Sequence, residues 1–387
     1  MTQFVDHHSG SNYPKNKPFK VWVLSPFVQT GDENLDYYYD YKQSIEEYKK
    51  VFEKLEMEWV WQPVTIDNFE NIIDNIALEK PNSTHFPIVL NLCDGDEING
   101  TPGISVIRKL IANNLVFTGA DEHFYQVTTS KIPMKQAFDD HEVAHASWQI
   151  IRDTNIDDDI FNRIGSPIIV KPAVSGGSMG VGIKNVVRDK ASLIKLIEEL
   201  NGGYRGWNLM ADGLIAEKYI SGREFTALIC GNHDDPDSIH VYNPVERVFH
   251  ESLPDEEKFL SFDRLWEIYE AESAMPESAH FFEYHPVDIS LSEKIKVLSK
   301  ASFIATGGVG YARVDIRMDQ HNEALYLLEI NAQCGISEDE NYTSIGAILK
   351  FEKQPFHSLV SKIIHLAINK HSNILEKETM NSTVNHS

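Results

Sequence analysis

Cysteine is scarce in this chain. Its 387 residues include three, Cys93, Cys230 and Cys334, and they lie far apart. That spacing offers neither a disulfide framework nor a zinc site, and it is read as a reducing, cytoplasmic compartment. Positive charge is scarce as well: 35 Lys and Arg face 58 Asp and Glu, a formal net charge of −23. The imbalance argues against nucleic acid as a partner, because such binding rests on cations meeting backbone phosphates. It argues equally against docking on an anionic membrane surface. Long hydrophobic runs are missing, and none approaches the roughly 20 residues that a bilayer crossing needs. The start, Met1-Thr-Gln-Phe-Val-Asp-His-His, lacks the basic region and apolar stretch of a secretory signal. There is no internal repeat and no low-complexity tract. What is present, 42% hydrophobic and 24% charged residues, is ordinary for a soluble globular protein. The length suggests two or three structural units. In so acidic a chain, a nucleotide would have to be held by a few local cations and a metal.

Hydrophobic periodicity orders the first part of the chain. Strands are expected at Phe19 to Pro26, Val60 to Ile66, Phe86 to Leu92 and Val116 to Gly119. Helices are expected at Tyr38 to Leu55, Ile72 to Leu78 and Pro102 to Asn113. This β-α-β-α order predicts a small doubly wound domain on a parallel sheet. Further on, helices are expected at Lys131 to Asp140, Ala191 to Leu200, Ile289 to Thr306 and Val360 to Ile368. Pro167 to Pro172 reads as a strand with Val181 to Val187 as its hairpin partner. Leu214 to Ile220 and Glu224 to Cys230 read as strands broken by Ser221-Gly222. His250 to Pro286 carries little periodicity and reads as a long excursion with some helix.

Two segments near the C-terminal end are the most informative. Tyr311-Ala-Arg313-Val-Asp315-Ile-Arg317 and Leu327-Leu-Glu329-Ile-Asn331 both alternate like strands, with a turn-like stretch, Asp319-Gln-His-Asn322, between them. A hairpin would set Asp315 beside Glu329 and Asn331, with Arg313 and Arg317 close by. Two carboxylates and an amide oxygen are hard ligands of the kind Mg²⁺ takes, the remainder coming from water and phosphates.

A glycine-rich run, Lys171-Pro-Ala-Val-Ser175-Gly176-Gly177-Ser178-Met-Gly180, follows an apolar strand. Its backbone N–H groups and two hydroxyls suit an anion, and Lys171 would neutralise charge. It fits neither of the two common glycine-rich nucleotide motifs, because a strand and not a helix follows. A third run, Ala216-Glu217-Lys218-Tyr219-Ile220-Ser221-Gly222-Arg223-Glu224, offers an extended backbone for a flat heterocycle and Glu224 for ribose hydroxyls.

The order of these pieces, with Lys131 ahead of them on a helix start, resembles the ATP-grasp superfamily, and most closely its D-alanine–D-alanine ligase branch, over roughly residues 86 to 337. The resemblance implies an α/β fold, α+β in the C-terminal part: a doubly wound N-terminal domain plus two α+β subdomains clamping ATP. It divides the chain into residues 19–125, 126–215 with the phosphate loop and 216–370 with the metal site, with 1–18 and 371–387 expected to be flexible. By that resemblance Lys131 and Lys171 contact ATP phosphates, while Ser175, Gly176, Gly177 and Ser178 close over them. Glu217, Lys218, Tyr219 and Ile220 hold adenine, and Glu224 the ribose. Asp315, Glu329 and Asn331 bind two Mg²⁺ ions, with Mn²⁺ able to stand in. Arg313, Lys171, Ser178 and the backbone of Gly335 serve the reacting centre. The implied reaction is ATP-dependent joining of a small-molecule carboxylate to an amine through an acyl-phosphate. Relatives are often dimers through the N-terminal domain, so the resemblance allows a homodimer.

Departures from the family pattern gather where amino-acid substrates would sit. Asp94-Gly95 stands where the family has His-Gly. Gly177 replaces a loop serine. Phe262-Asp-Arg264-Leu-Trp266 is the nearest counterpart of a lysine-bearing segment, with Arg264 for the lysine. Ser337, followed by Glu338-Asp-Glu340, stands where a serine would grip a carboxylate. Acids at these positions repel a carboxylate and attract a cation, so the expectation is an acceptor other than D-alanine. The alternatives are a true D-alanine–D-alanine ligase and a nucleotide-binding protein without activity.

Overall fold

The computed structural model describes residues 17–28, 41–82, 84–203, 206–265 and 280–384. The chain forms two compact units. One comprises the residues up to Glu122 together with 335–338 and 353 onward; the other comprises 123–334 and 339–352.

The first unit is built on strands β1 (Phe19–Pro26), β2 (Glu58–Val64), β3 (Phe86–Asn91) and β4 (Val116–Phe117), in the order β2-β1-β3-β4. All pairs are parallel, as the alternation of strands and helices predicts. Every residue of β3 is buried, which is the signature of a central parallel strand covered on both faces. The helix Lys42–Leu55 buries Tyr48, Val51 and Phe52 at helical spacing; Phe52 stacks on Trp59, and Tyr48 lies tilted against Trp61. It ends on Glu56 in the left-handed region, φ 53°. The expected start at Tyr38 lies outside the described residues. The final helix, Phe356–Val384, belongs to this unit, with Phe356 against Tyr48 at 5.7 Å. It continues through the stretch after Lys370 that was expected to be flexible. No glycine or proline occurs between Phe356 and Val384 to stop it. The lead-in 1–16 lies outside the described residues.

The second unit holds two sheets. Strands β5 (Trp148–Ile151), β6 (Ile168–Pro172), β7 (Val186–Val187) and β8 (Leu214–Lys218) form one, in the order β5-β8-β6-β7. Strands β9 (Gly222–Asn232), β10 (Asp235–Val241), β11 (Val245–Phe249), β12 (Phe282–Pro286), β13 (Val309–Asp319) and β14 (Leu325–Ala332) form the other, in the order β12-β11-β9-β13-β14 with β10 on β9. The expected strand–turn–strand around Ser221-Gly222 is instead the passage from one sheet to the other. Gly222 has φ 133°, and a Cβ there would sit 2.2 Å from the Met318 carbonyl oxygen, so only glycine fits this close approach. The expected hairpin partner of β6 shrinks to Val186–Val187, preceded by a 3-10 turn at Ile183–Asn185. Among the described residues no helix is long and apolar enough to cross a membrane.

Candidate active site

The hairpin β13–β14 forms in the register the alternation implies. Asp315 lies opposite Glu329 and Arg313 opposite Asn331, with a bulge just past Asp315. β13 also pairs along its full length with β9, which sets Asp315 opposite Thr226 and Arg317 opposite Glu224. Because side chains alternate, one face of three adjacent strands carries Glu224, Thr226, Arg313, Asp315, Arg317, Glu329 and Asn331.

At one end of that face Asp315 accepts from Thr226 Oγ1 at 2.8 Å, from Arg313 Nε at 2.9 Å and from Asn331 Nδ2 at 3.3 Å. Asn331 Nδ2 also donates to Glu329 Oε1 at 3.2 Å. Glu329 has only longer ion pairs, 3.9 Å to Arg313 and 3.9 Å to Lys131. Burial pushes the Glu329 pKa up, but Lys131, Arg313 and Lys171 pull it down further, so it lies below the ordinary carboxylate range. Burial lowers the pKa of Lys131 despite the attraction of Glu329. Among the described residues no group of three or more His, Cys, Asp or Glu side chains is placed to hold a metal ion. The donor set here is therefore two carboxylates and an amide. It fits a small hard cation once the Asn331 amide turns its oxygen, not its nitrogen, toward the carboxylates.

At the other end the carboxylates are fully engaged. Glu224 is held between two buried arginines, Arg247 on Oε1 and Arg317 on Oε2, the latter at 3.1 Å. Arg317 also donates to the Ile220 carbonyl at 2.7 Å and to the Lys258 carbonyl. Tyr219 N–H is occupied by the Pro167 carbonyl at 3.0 Å, so Tyr219, expected to help hold adenine, does not offer its backbone donor. Tyr219 instead forms an apolar wall with Ile169, Val181 and Phe259. Glu217 is 1% exposed. One of its oxygens pairs with Lys171 and the other with Lys135 at 2.9 Å. Burial alone would raise its pKa, but the two lysines lower it to about 2.

Most of these groups line one cleft of about 1100 Å³, counted with its open mouth. Its walls include Lys131, Lys171, Ser175, Gly177, Ser178, Glu217, Lys218, Tyr219, Ile220, Glu224, Arg313, Asp315, Glu329 and Asn331. The helix Lys131–Asp140 delivers Lys131, capped by Ser130 on Ile132 N–H at 3.3 Å. Lys131 Nζ lies 3.2 Å from Ser175 Oγ, joining the helix to the glycine-rich loop. Asn185 fixes the base of that loop: its amide donates to the carbonyls of Val170 at 2.7 Å and Gly180 at 2.8 Å, and accepts from Gly182 N–H at 2.8 Å. Gly176 is exposed and does not line the cleft, and Gly335 falls in the short 335–338 stretch grouped with the first unit. Sequence reasoning missed Lys135, Arg247 and Phe259. Lys135 was legible as the residue one turn after Lys131 on the same helix face.

A family described as "D-ala D-ala ligase C-terminus" matches residues 138–365. The chain belongs to that ligase family. Among curated relatives, the D-alanine–D-alanine ligase of Nitrosococcus oceani is 28% identical over 230 residues, 58% of this chain and 61% of the relative. That of Borrelia duttonii is 26% identical over 229 residues, 59% of this chain and 55% of the relative. The match thus spans little more than half the length of these relatives. Among solved structures, a D-alanine–D-alanine ligase from Bacillus anthracis complexed with ATP aligns with TM-score 0.63 at 15% identity, covering 92% of this chain and 99% of that one. The Coxiella burnetii D-alanine–D-alanine ligase aligns with TM-score 0.66 at 16% identity, covering 96% and 100%. The fold is the ATP-grasp fold.

Three expected departures from this ligase family look different in the structure. Arg264 is 2% exposed, pairs with Glu257 at 2.7 Å and lies over the Phe281 ring; it does not line the cleft, and Trp266 lies outside the described residues. Ser337 Oγ donates to Glu47 at 2.8 Å, and Glu338 pairs with Lys50 at 2.8 Å. Glu340 pairs with Lys350 at 2.8 Å, while Asp339 caps the turn at Asn341 and Tyr342. The acidic run after Gly335 is therefore largely neutralised by its neighbours. Asp94 is exposed and Gly95 buried, with room for no Cβ beside the Thr101 carbonyl.

Proposed function

We propose that this chain is an ATP-dependent ligase that joins two molecules of D-alanine through an acyl-phosphate. The observation that carries the reading is the β13–β14 register, which stacks Asp315 on Glu329 in the same cleft as Lys131 and Lys171. The names of the relatives favour D-alanine over the different acceptor expected from the sequence departures, and the pairing of Glu338 and Glu340 with lysines weakens the charge argument for a cationic one.

A carboxylate is a poor electrophile, so its oxygen first takes the γ-phosphoryl group of ATP and ADP leaves. The amine then attacks the acyl carbon and phosphate departs. Such transfer depends on positioning and charge neutralisation. The Ile169, Val181, Tyr219 and Phe259 wall suits the adenine ring, with Ile220 at its edge and Glu224 toward the ribose. Lys131 and Lys171 meet phosphate oxygens, and Ser175, Gly177 and Ser178 close over them. Arg313, lying between Asp315 and Glu329, reaches the developing oxyanion. Asp315, Glu329 and Asn331 are the residues that would hold Mg²⁺ or Mn²⁺, which when bound would neutralise phosphate charge.

The test is ADP release from ATP and Mg²⁺ with D-alanine, beside a panel of other amino acids and amines, with the product identified by mass spectrometry. D-alanyl-D-alanine formed with stoichiometric ADP is expected, and chelation of the divalent metal should stop it. ADP release with a panel amine and none with D-alanine would overturn the acceptor. Silence across the panel would overturn the ligase reading.

A further inference from the structure

Among the described residues, Lys135 is the one ion-paired lysine of the second unit whose side chain is wholly buried. Its Nζ lies 2.9 Å from Glu217 Oε2 and 3.4 Å from the Leu327 carbonyl oxygen. It does not line the cleft. Lys171 does, and it pairs with the other oxygen of the same carboxylate. Glu217 therefore bridges one lysine that faces the ligand space and one sealed behind it. Lys131 adds a third positive charge close enough to be felt by both lysines and by Glu217.

We propose that Lys135 is a positioning residue that keeps Glu217 ionised and in place, so that Lys171 can leave it for an incoming nucleotide phosphate. The inference rests on the nucleotide reading given above and adds to it a residue that never touches the nucleotide. Lys171 is already engaged by Glu217, so a phosphate must compete with that carboxylate for it. If Lys171 were the only partner of Glu217, its departure would strand a carboxylate that is 1% exposed, and removing one partner of a buried pair is strongly unfavourable. Lys135 changes that balance. With it in place, one carboxylate is shared by two ammonium groups, and losing either one leaves a neutral buried pair. The depressed pKa of Glu217 is consistent with this double hold. Lys135 is itself fixed, by the Leu327 carbonyl and by burial, so it cannot follow Lys171 toward the ligand. Division of labour between a fixed and a movable cation is what the geometry provides.

The experiment is a double-mutant cycle on the full chain: parent, Lys135→Met, Glu217→Gln and the double variant. Affinity for a non-hydrolysable ATP analogue with Mg²⁺ is read by calorimetry. Titration of the Glu217 carboxyl by ¹³C NMR, without nucleotide, is the second readout. Lys135→Met should weaken the analogue at least tenfold and raise the Glu217 pKa well above about 2. In the Glu217→Gln background the same change should cost little, since the charge it offsets is gone. Lys135→Arg should recover part of the affinity. Additive effects in the cycle, or an unmoved Glu217 titration in Lys135→Met, would overturn the proposal. If Lys135→Met does not fold, the double variant must, and its failure to do so overturns the proposal equally. A parent that binds no analogue while Glu217 still titrates as expected would overturn the nucleotide reading and the release of Lys171 with it, leaving only the buried charge pair.

Discussion

Glu224 and Glu329 lie on the same sheet face at opposite ends of one cleft, and they are treated differently. Glu224 has a side chain 5% exposed and an arginine on each oxygen. Glu329 is 29% exposed, and its cations stand 3.9 Å away. The first carboxylate is neutralised by the protein itself. The second is left with charge that the protein does not match at contact distance. A buried charge with complete partners needs no further cation, and one with incomplete partners is available to a cation. Reading the partners of a carboxylate thus separates scaffold from candidate metal ligand where residue type alone does not.

The largest effect should come from dismantling the matched end. Arg317→Met removes one of the two buried partners of Glu224 and the donor to two carbonyls. It should destabilise the protein by about 3–5 kcal/mol in denaturant titrations; a loss under about 1 kcal/mol would place Glu224 among surface-like pairs and break the comparison. A second effect concerns pH. Glu217 titrates at about 2 in the folded chain, below its ordinary value. Its stabilising contribution is therefore complete above the ordinary carboxylate range and is lost as pH falls from about 5 toward 2, on the order of 3 kcal/mol in all. Unfolding midpoints followed across that window should drop, and the drop should be shallower in Glu217→Gln.

At the unmatched end, Glu329→Gln should lower ADP release roughly 100-fold, about 2.7 kcal/mol of barrier, with the unfolding midpoint nearly unchanged. Equal losses of activity and stability there would contradict the view that Glu329 is reserved for a ligand. The smallest effect is expected at Lys50, an exposed partner of Glu338. Lys50→Ala should leave the melting temperature within error, since surface pairs contribute little.

Much of the local plan was legible in the sequence. The β13–β14 hairpin follows from strict alternation in residues 311–317 and 327–331, and a buried face fixes its register because a one-residue slip would turn every charge into the core. The N-terminal parallel sheet follows from apolar runs separated by helical periods. The β11 strand carries the same alternation, with Val245, Arg247 and Phe249 buried, but its arginine in a core position hid it. Strand β12, half exposed, has no such pattern to read.

By itself the sequence determined most of the strands and helices and which of their side chains share a face, because those depend on periods of two and 3.6 along the chain. It could not determine which sheet each strand joins. That Glu217 and Glu224, seven residues apart, sit in different sheets was decided by Gly222 passing beneath the Met318 carbonyl. Nor could it assign partners across long separations. Lys135 with Glu217, and Arg317 with Glu224, meet only because packed elements bring distant charges into a space that water does not reach, where a carboxylate must find a cation or lose its charge.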